Sequence, residues 1–167
     1  MLKDLKILKF RIMEKTNVMR ILDKNKLNYK TYDYSNTDAI SWIDVANVMN
    51  QNQSKVFKTL VTVWKSKKYY VFMVPVDKDL DLKKAANSVD EKSIEMIKSK
   101  DLLWLTWYIH WGCSPIWMKK NFKTIIDVSA KNFPTIIFSA GKIGYQVELN
   151  VDDLSKMIET SLYDIVI

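Results

Sequence analysis

Glycine, cysteine and histidine are nearly missing from this chain, whose 167 residues hold three Gly, one Cys and one His. Each scarcity excludes something. A single thiol forms no internal bridge, so the chain is not a secreted disulfide scaffold. One Cys and one His cannot supply the soft ligand set of a zinc site, and neither a metal nor an organic cofactor is expected. With glycine only at Gly112, Gly141 and Gly144 there is no phosphate-cradling glycine loop and no dinucleotide fingerprint. No uninterrupted apolar run is long enough to span a membrane.

What is present suits one buried core: the chain is 48% hydrophobic and 27% charged, a length and composition for a single globular domain. The net charge of +7 makes nucleic acid the polyanion to suspect, although a modest basic excess also fits many proteins without such a partner. The opening MLKDLKILKFRIM lacks both an apolar core and a small-residue cleavage site. It reads as an amphipathic surface segment or as an extension ahead of a start at Met13, so the domain is expected over 14–167 and its location in the cytoplasm.

Periodicity predicts a mixed α/β domain of short helices among many strands. Thr16, Ser41, Asp81 and Asn150 are placed to cap helices, the last running from Val151 to Thr160. Val56 to Trp64 and Tyr69 to Val76 read as a hairpin, with Pro75 near the end of its second strand. Strands are further expected at Ser93 to Ile97, Lys123 to Asp127, Thr135 to Ser139, Ile143 to Leu149 and Tyr163 to Val166. Between a helical turn at Leu102 to Leu105 and Trp117 the period disappears, and Pro115 marks a loop.

Few residues can carry chemistry. His110 and Cys113 share that loop, but nothing in the sequence orients the imidazole toward the thiol, and an incidental cysteine is the simpler account. Lys58 is more informative. Strand alternation places it on the same face as Val56 and Leu60, inside an apolar run where a charge is costly to bury. Either this face borders solvent and the side chain snorkels out, or a rigid strand holds a cation at a pocket wall, ready to bind phosphate or polarise an ester carbonyl.

Ordered blocks decide between these. Lys15-Thr16-Asn17-Val18-Met19-Arg20-Ile21-Leu22, Val56-Phe57-Lys58-Thr59-Leu60-Val61, and Val74-Pro75-Val76-Asp77 with Leu80-Asp81-Leu82-Lys83-Lys84-Ala85-Ala86 resemble successive blocks of the YbaK family. So do Gly112-Cys113-Ser114-Pro115-Ile116 with Met118-Lys119-Lys120, and Ser139-Ala140-Gly141-Lys142-Ile143-Gly144 leading into Gln146-Val147-Glu148-Leu149.

The resemblance implies the fold of the editing domain of prolyl-tRNA synthetases, a single α/β domain around a curved mixed sheet. It implies a trans-acting deacylase that removes cysteine from Cys-tRNA(Pro), alone or docked on prolyl-tRNA synthetase. Lys58 then matches the lysine on which activity depends, Tyr34 and Ser139 match pocket residues ahead of Gly141, and the loop Trp111, Gly112, Cys113, Ser114, Pro115 approaches the aminoacyl group through its backbone. The substrate's own thiol would help to cleave the ester. Lys65, Lys67, Lys68, Lys83, Lys84, Lys119 and Lys120 are candidates for tRNA backbone contacts. A non-catalytic RNA-binding module, or a deacylase for another amino acid such as alanine, are the alternatives.

The departures from the family are of one kind. Trp107, Trp111 and Trp117 stand where the family patterns Thr-Gly-Tyr, Gly-Gly-Cys-Ser-Pro and Pro-Ile-Gly-Met have glycine. Trp42 follows a serine where glycine is usual, and Trp64 occupies a natural turn position; only Trp104 lacks a glycine precedent. Six Trp beside three Gly inverts ordinary usage, in which Gly is about 7% of residues. We read this as UGA codons translated as tryptophan although the source organism decodes them as glycine.

Overall fold

Side-chain caps begin most of the helices in the computed structural model, which describes residues 14–167; the expectations about 1–13 and a start at Met13 lie outside the described residues. Thr16 Oγ1 accepts from the Met19 N–H and opens α1 (Asn17–Lys24). Ser41 does the same from Asp44 for α2 (Trp42–Val48), and Asp81 accepts from the Lys83 and Lys84 N–H groups at α3 (Leu82–Ser88). The next helix, α4 (Ser99–Thr106), starts without a side-chain cap, and Asn150 caps α5 (Val151–Met157) through the Asp152 N–H. Each cap satisfies a backbone donor that the first helical turn leaves free.

The strands are β1 (Lys30–Asp33), β2 (Phe57–Val63), β3 (Tyr69–Pro75), β4 (Glu95–Met96), β5 (Thr124–Asp127), β6 (Ile136–Ser139), β7 (Tyr145–Leu149) and β8 (Thr160–Tyr163). They form a mixed α/β domain, but the expected curved sheet is divided into a five-stranded sheet, β4-β2-β3-β5-β8, and a three-stranded sheet, β1-β7-β6. A single parallel bridge between Val56 and Ile137 links the two. The larger sheet is mixed because β5 runs parallel to both β3 and β8.

Alternation along β2 and β3 splits the interior. Phe57, Val61, Val71 and Met73 face the main core with Val18, Met19 and Leu22 of α1. Leu60, Tyr70, Phe72 and Val74 face a second core under Ala85 and Ala86 of α3. Each large side chain buried here stabilises by about 1.5–3 kcal/mol relative to exposure. Lys58 lies opposite Val74 and therefore projects to the second face, as the alternation predicts.

Four expected elements differ. The strand foreseen at Ser93 to Ile97 shortens to two paired residues, and α4 starts earlier, at Ser99. The helix foreseen to Thr160 stops at Met157, and the last strand runs over Thr160–Tyr163 rather than Tyr163 to Val166. Pairing with β5, Thr124 against Thr160 through Asp127 against Tyr163, pulls those residues out of the helix, a tertiary demand invisible to local periodicity. No helix among the described residues is long and apolar enough to cross a membrane.

Candidate functional site

Lys58 is the second residue of β2, only 9% exposed, and its Nζ lies 5.5 Å from the centre of the Trp42 ring and 3.8 Å from Asp79 Oδ1. Burial holds its pKa below the ordinary lysine value, while the charges of Asp79 and Asp77 partly pull it back up. Pairing of β2 with β3, Lys58 opposite Val74, fixes the backbone beneath this cation. It is thus held in place and partly stripped of water, the condition under which an ammonium acts most strongly on a nearby oxygen.

Two indoles dominate the space beside it. The Trp42 and Trp111 rings meet edge to face at 4.3 Å between centroids, and His110 lies 4.2 Å from the Trp111 ring. Both tryptophans line two clefts. One, of about 20 Å³, is bounded by Tyr34, Phe57, Phe138, Ser139 and Gln146. The other, of about 240 Å³, is bounded by Thr59, Met96, Leu102, His110 and Cys113. The smaller holds about one water molecule and no aminoacyl group.

Of the expected site residues, Tyr34, Trp111 and Ser139 line the smaller cleft and Trp111 and Cys113 the larger, whereas Lys58, Gly112, Ser114, Pro115 and Gly141 line neither. Tyr34, just past β1, is buried, which raises its pKa, and its backbone N–H donates to Gly144 O at 2.7 Å. Ser139 Oγ accepts from the Gly141 N–H at 3.1 Å. Gly141 has φ of +87°, and a Cβ there would meet the Tyr108 ring at 2.8 Å, so glycine is required. Gly112 packs its bare Cα against the Ile143 backbone. Ser114 and Pro115 are buried, and Ser114 Oγ accepts from the Ile116 N–H.

Cys113 is buried and its thiol is pushed up to about 12 by that burial, so it is not the thiolate a nucleophile must be. Among the described residues no three His, Cys, Asp or Glu side chains gather as a metal site requires.

The candidate tRNA lysines do not form one track. Lys84 Nζ donates to Asp164 Oδ2 and to Val166 O, tying α3 to the C-terminal segment, and Lys119 reaches Trp104 O at 3.4 Å. Lys83 is exposed on α3. Lys67, Lys68 and Lys120 line a separate groove of about 740 Å³ near the tip of the β2–β3 hairpin.

One residue escaped sequence reasoning. Thr59, 6% exposed, bounds the larger cleft, and its Oγ1 has no hydrogen-bond partner among the described residues. A lone hydroxyl in the apolar run beside Lys58 was the signal that could have found it.

A strand-borne buried lysine beside a glycine-containing loop, on two linked sheets, is the architecture of an editing domain. The family model of the aminoacyl-tRNA editing domain matches residues 37–157, and the chain belongs to that family. It is 42% identical over 142 residues to a candidate Cys-tRNA(Pro)/Cys-tRNA(Cys) deacylase, EbsC, of Enterococcus faecalis, covering 84% of this chain and 87% of that one. Among solved structures, a candidate trans-editing enzyme for prolyl-tRNA synthetase superposes with a TM-score of 0.75 at 17% identity, over 90% of this chain and 96% of the other. A hypothetical protein superposes with a TM-score of 0.80, also at 17% identity, over 92% and 100%. At that identity the structural matches establish the fold alone. The resemblance drawn from the sequence blocks is borne out.

Proposed function

We propose that this chain is a trans-acting deacylase for Cys-tRNA(Pro). The observation that carries the proposal is Lys58, a buried cation on β2 whose Nζ lies 5.5 Å from the ring of Trp42, a residue that lines both clefts, in a chain 42% identical to a candidate deacylase of that specificity. An aminoacyl ester is already activated, so the protein has only to fix the 3′ end and stabilise charge on the carbonyl oxygen. Lys58 supplies the charge. The N–H groups of Trp111, Cys113 and Ser114 and the hydroxyls of Tyr34, Ser139 and Thr59 supply positioning.

No side chain of the protein is needed as nucleophile, since the Cys113 thiol is held protonated by burial. The substrate's cysteine sulfur attacks its own carbonyl carbon, the bond to the ribose oxygen breaks, and that oxygen leaves with the thiol proton. An amino acid without a thiol lacks this route, which accounts for selectivity. The tRNA is met in the cytoplasm, and prolyl-tRNA synthetase, which makes the mischarged species, is the partner this reading implies.

Trp42 and Trp111 favour one alternative for the chain with tryptophan at both positions. The 20 Å³ cleft admits no aminoacyl group, and such a molecule would act as a binding module without turnover. Single-turnover release of labelled amino acid from Cys-tRNA(Pro) and Ala-tRNA(Pro) tests these readings, on this chain and on one carrying glycine at positions 42, 107, 111 and 117. Selective cysteine release that falls by about 10²–10³ on Lys58→Ala supports the deacylase, in line with loss of one transition-state donor. Release of alanine instead moves the specificity, and binding without release from either form leaves the module.

A further inference from the structure

Seven non-glycine residues among those described have positive φ, and three of them are tryptophans: Trp107 at 71°, Trp111 at 70° and Trp117 at 63°. The left-handed region is costly for a bulky residue and free for glycine. Local geometry names the same substitute at two of the three positions. Trp107 closes α4 in the αL conformation with its N–H on Leu103 O, the place where helices most often end in glycine. Trp111 is the third residue of the turn closed by the Gly112 N–H on Ile109 O, and positive φ there marks a type II turn, which calls for glycine. Trp117 follows Pro115 and Ile116 in a bend.

Packing does not compensate at the two outer positions, because Trp107 is 56% exposed and Trp117 is 45% exposed. The remaining tryptophans show that the pattern is selective. Trp104 lies inside α4 with ordinary φ and donates from Nε1 to Asp101. Trp64 also has ordinary φ, and the left-handed residue of its hairpin turn is Lys67, so the turn-glycine expectation at Trp64 is corrected. Trp42 starts α2 without positive φ, so the backbone does not demand glycine there; its place in the argument is spatial.

We propose that glycine occupies positions 107, 111 and 117 in the protein as its own cells make it, through UGA codons read as glycine, and that position 42 shares this origin. Taking both indoles out joins the 20 Å³ and 240 Å³ clefts and uncovers the face of Lys58 now under the Trp42 ring. With the volume of the rings themselves, the joined cavity enters the range of about 300–1,000 Å³ typical of small-ligand sites. Tyr34, Thr59 and Ser139 then line one space fit for a 3′-terminal aminoacyl adenosine. This last step rests on the deacylase reading; the identity of the residues does not.

The sequence supplies a direct test with an internal control. Trypsin should release Asp101 to Lys119 as one peptide holding Trp104, Trp107, Trp111 and Trp117. In protein purified from its own cells, fragment masses are expected to show one tryptophan, at 104, and glycine at the other three positions; indole at those three overturns the proposal. In recombinant chains, Trp107→Gly and Trp117→Gly are expected to raise Tm by a few degrees and Trp104→Gly to lower it. A fall in Tm at 107 and 117 would remove the strain argument. If the native peptide carries glycine and the glycine-bearing chain still releases no amino acid, the failure belongs to the deacylase reading and not to the residue assignment.

Discussion

The Lys58 ammonium and Asp79 Oδ1 stand 3.8 Å apart, with the lysine side chain 10% exposed and the carboxylate 87% exposed. The pair is lopsided: the cation has lost most of its water, and the anion has kept its own. Burial lowers the lysine pKa and Asp79 raises it in part. Since the protonated form is the one that stabilises a carbonyl oxygen, deacylation should fall as pH rises through a value below 10.5, the ordinary lysine value. Asp79→Asn removes the opposing charge and should move that alkaline limb further down. A limb that stays put in rate–pH profiles of the variant would show that Asp79 does not tune Lys58.

Cys113 is expected to matter for packing and not for chemistry. Its thiol is buried in the main core and its pKa is pushed up to about 12. Cys113→Ala should leave single-turnover rates unchanged while costing about 1 kcal/mol in denaturant unfolding, as modest losses of buried volume do. A rate loss without a stability loss would return the cysteine to the mechanism.

Much of this fold is local in origin and could be read without coordinates. The caps at Thr16, Ser41, Asp81 and Asn150 depend on side chains two or three residues from the donors they satisfy. The face of Lys58 follows from alternation with Val56 and Leu60. By contrast, β8 was misplaced because its register is set by β5, which is distant in sequence. The glycine-like positions 107, 111 and 117 were legible as departures from a family pattern, whereas Trp64 misled because hairpin geometry put the left-handed residue at Lys67. The wall that Trp42 and Trp111 build between two clefts was not legible at all, since it needs α2 and a distant loop to meet.

Glu148 joins the small sheet to the β2 entrance. It is buried and accepts from Tyr32 Oη at 2.6 Å, Thr135 Oγ1 at 2.7 Å and Lys55 Nζ at 3.3 Å. Burial alone would raise its pKa; the bonds from Tyr32 and Thr135 and the charge of Lys55 outweigh that and hold it below 4.5. A carboxylate with a depressed folded pKa gives its stabilisation above the unfolded value and loses it as pH falls through the folded one. Tyr32→Phe should therefore cost about 1.5–3 kcal/mol at neutral pH. The cost should shrink on acidification below the ordinary carboxylate range, as urea titrations at several pH values would show.

Gly141→Ala should destabilise by about 1–3 kcal/mol, the usual cost of a strained backbone position. Its φ is +87°, and the added methyl would press on the Tyr108 ring, whose hydroxyl donates to Ile116 O. Because the N–H of the same residue donates to Ser139 Oγ, the site should loosen along with the fold. Thermal unfolding and deacylation should decline together, and a variant as stable as its parent would contradict the contact.

Thr59→Val separates fold from function most sharply, because the two effects should have opposite signs. The Thr59 hydroxyl is buried without a protein partner among the described residues, a state that costs about 1–3 kcal/mol. Exchanging it for a methyl keeps the branched shape on β2 and removes that cost, so the variant should be at least as stable as its parent in denaturant. In a chain with glycine at 42 and 111, however, the hydroxyl borders the joined cavity one residue from Lys58, where it would bond a substrate oxygen. There Thr59→Val should raise KM for Cys-tRNA(Pro) or lower kcat. A loss of stability would mean that the hydroxyl is already satisfied in the folded protein, and unchanged kinetics would mean that substrate does not reach it.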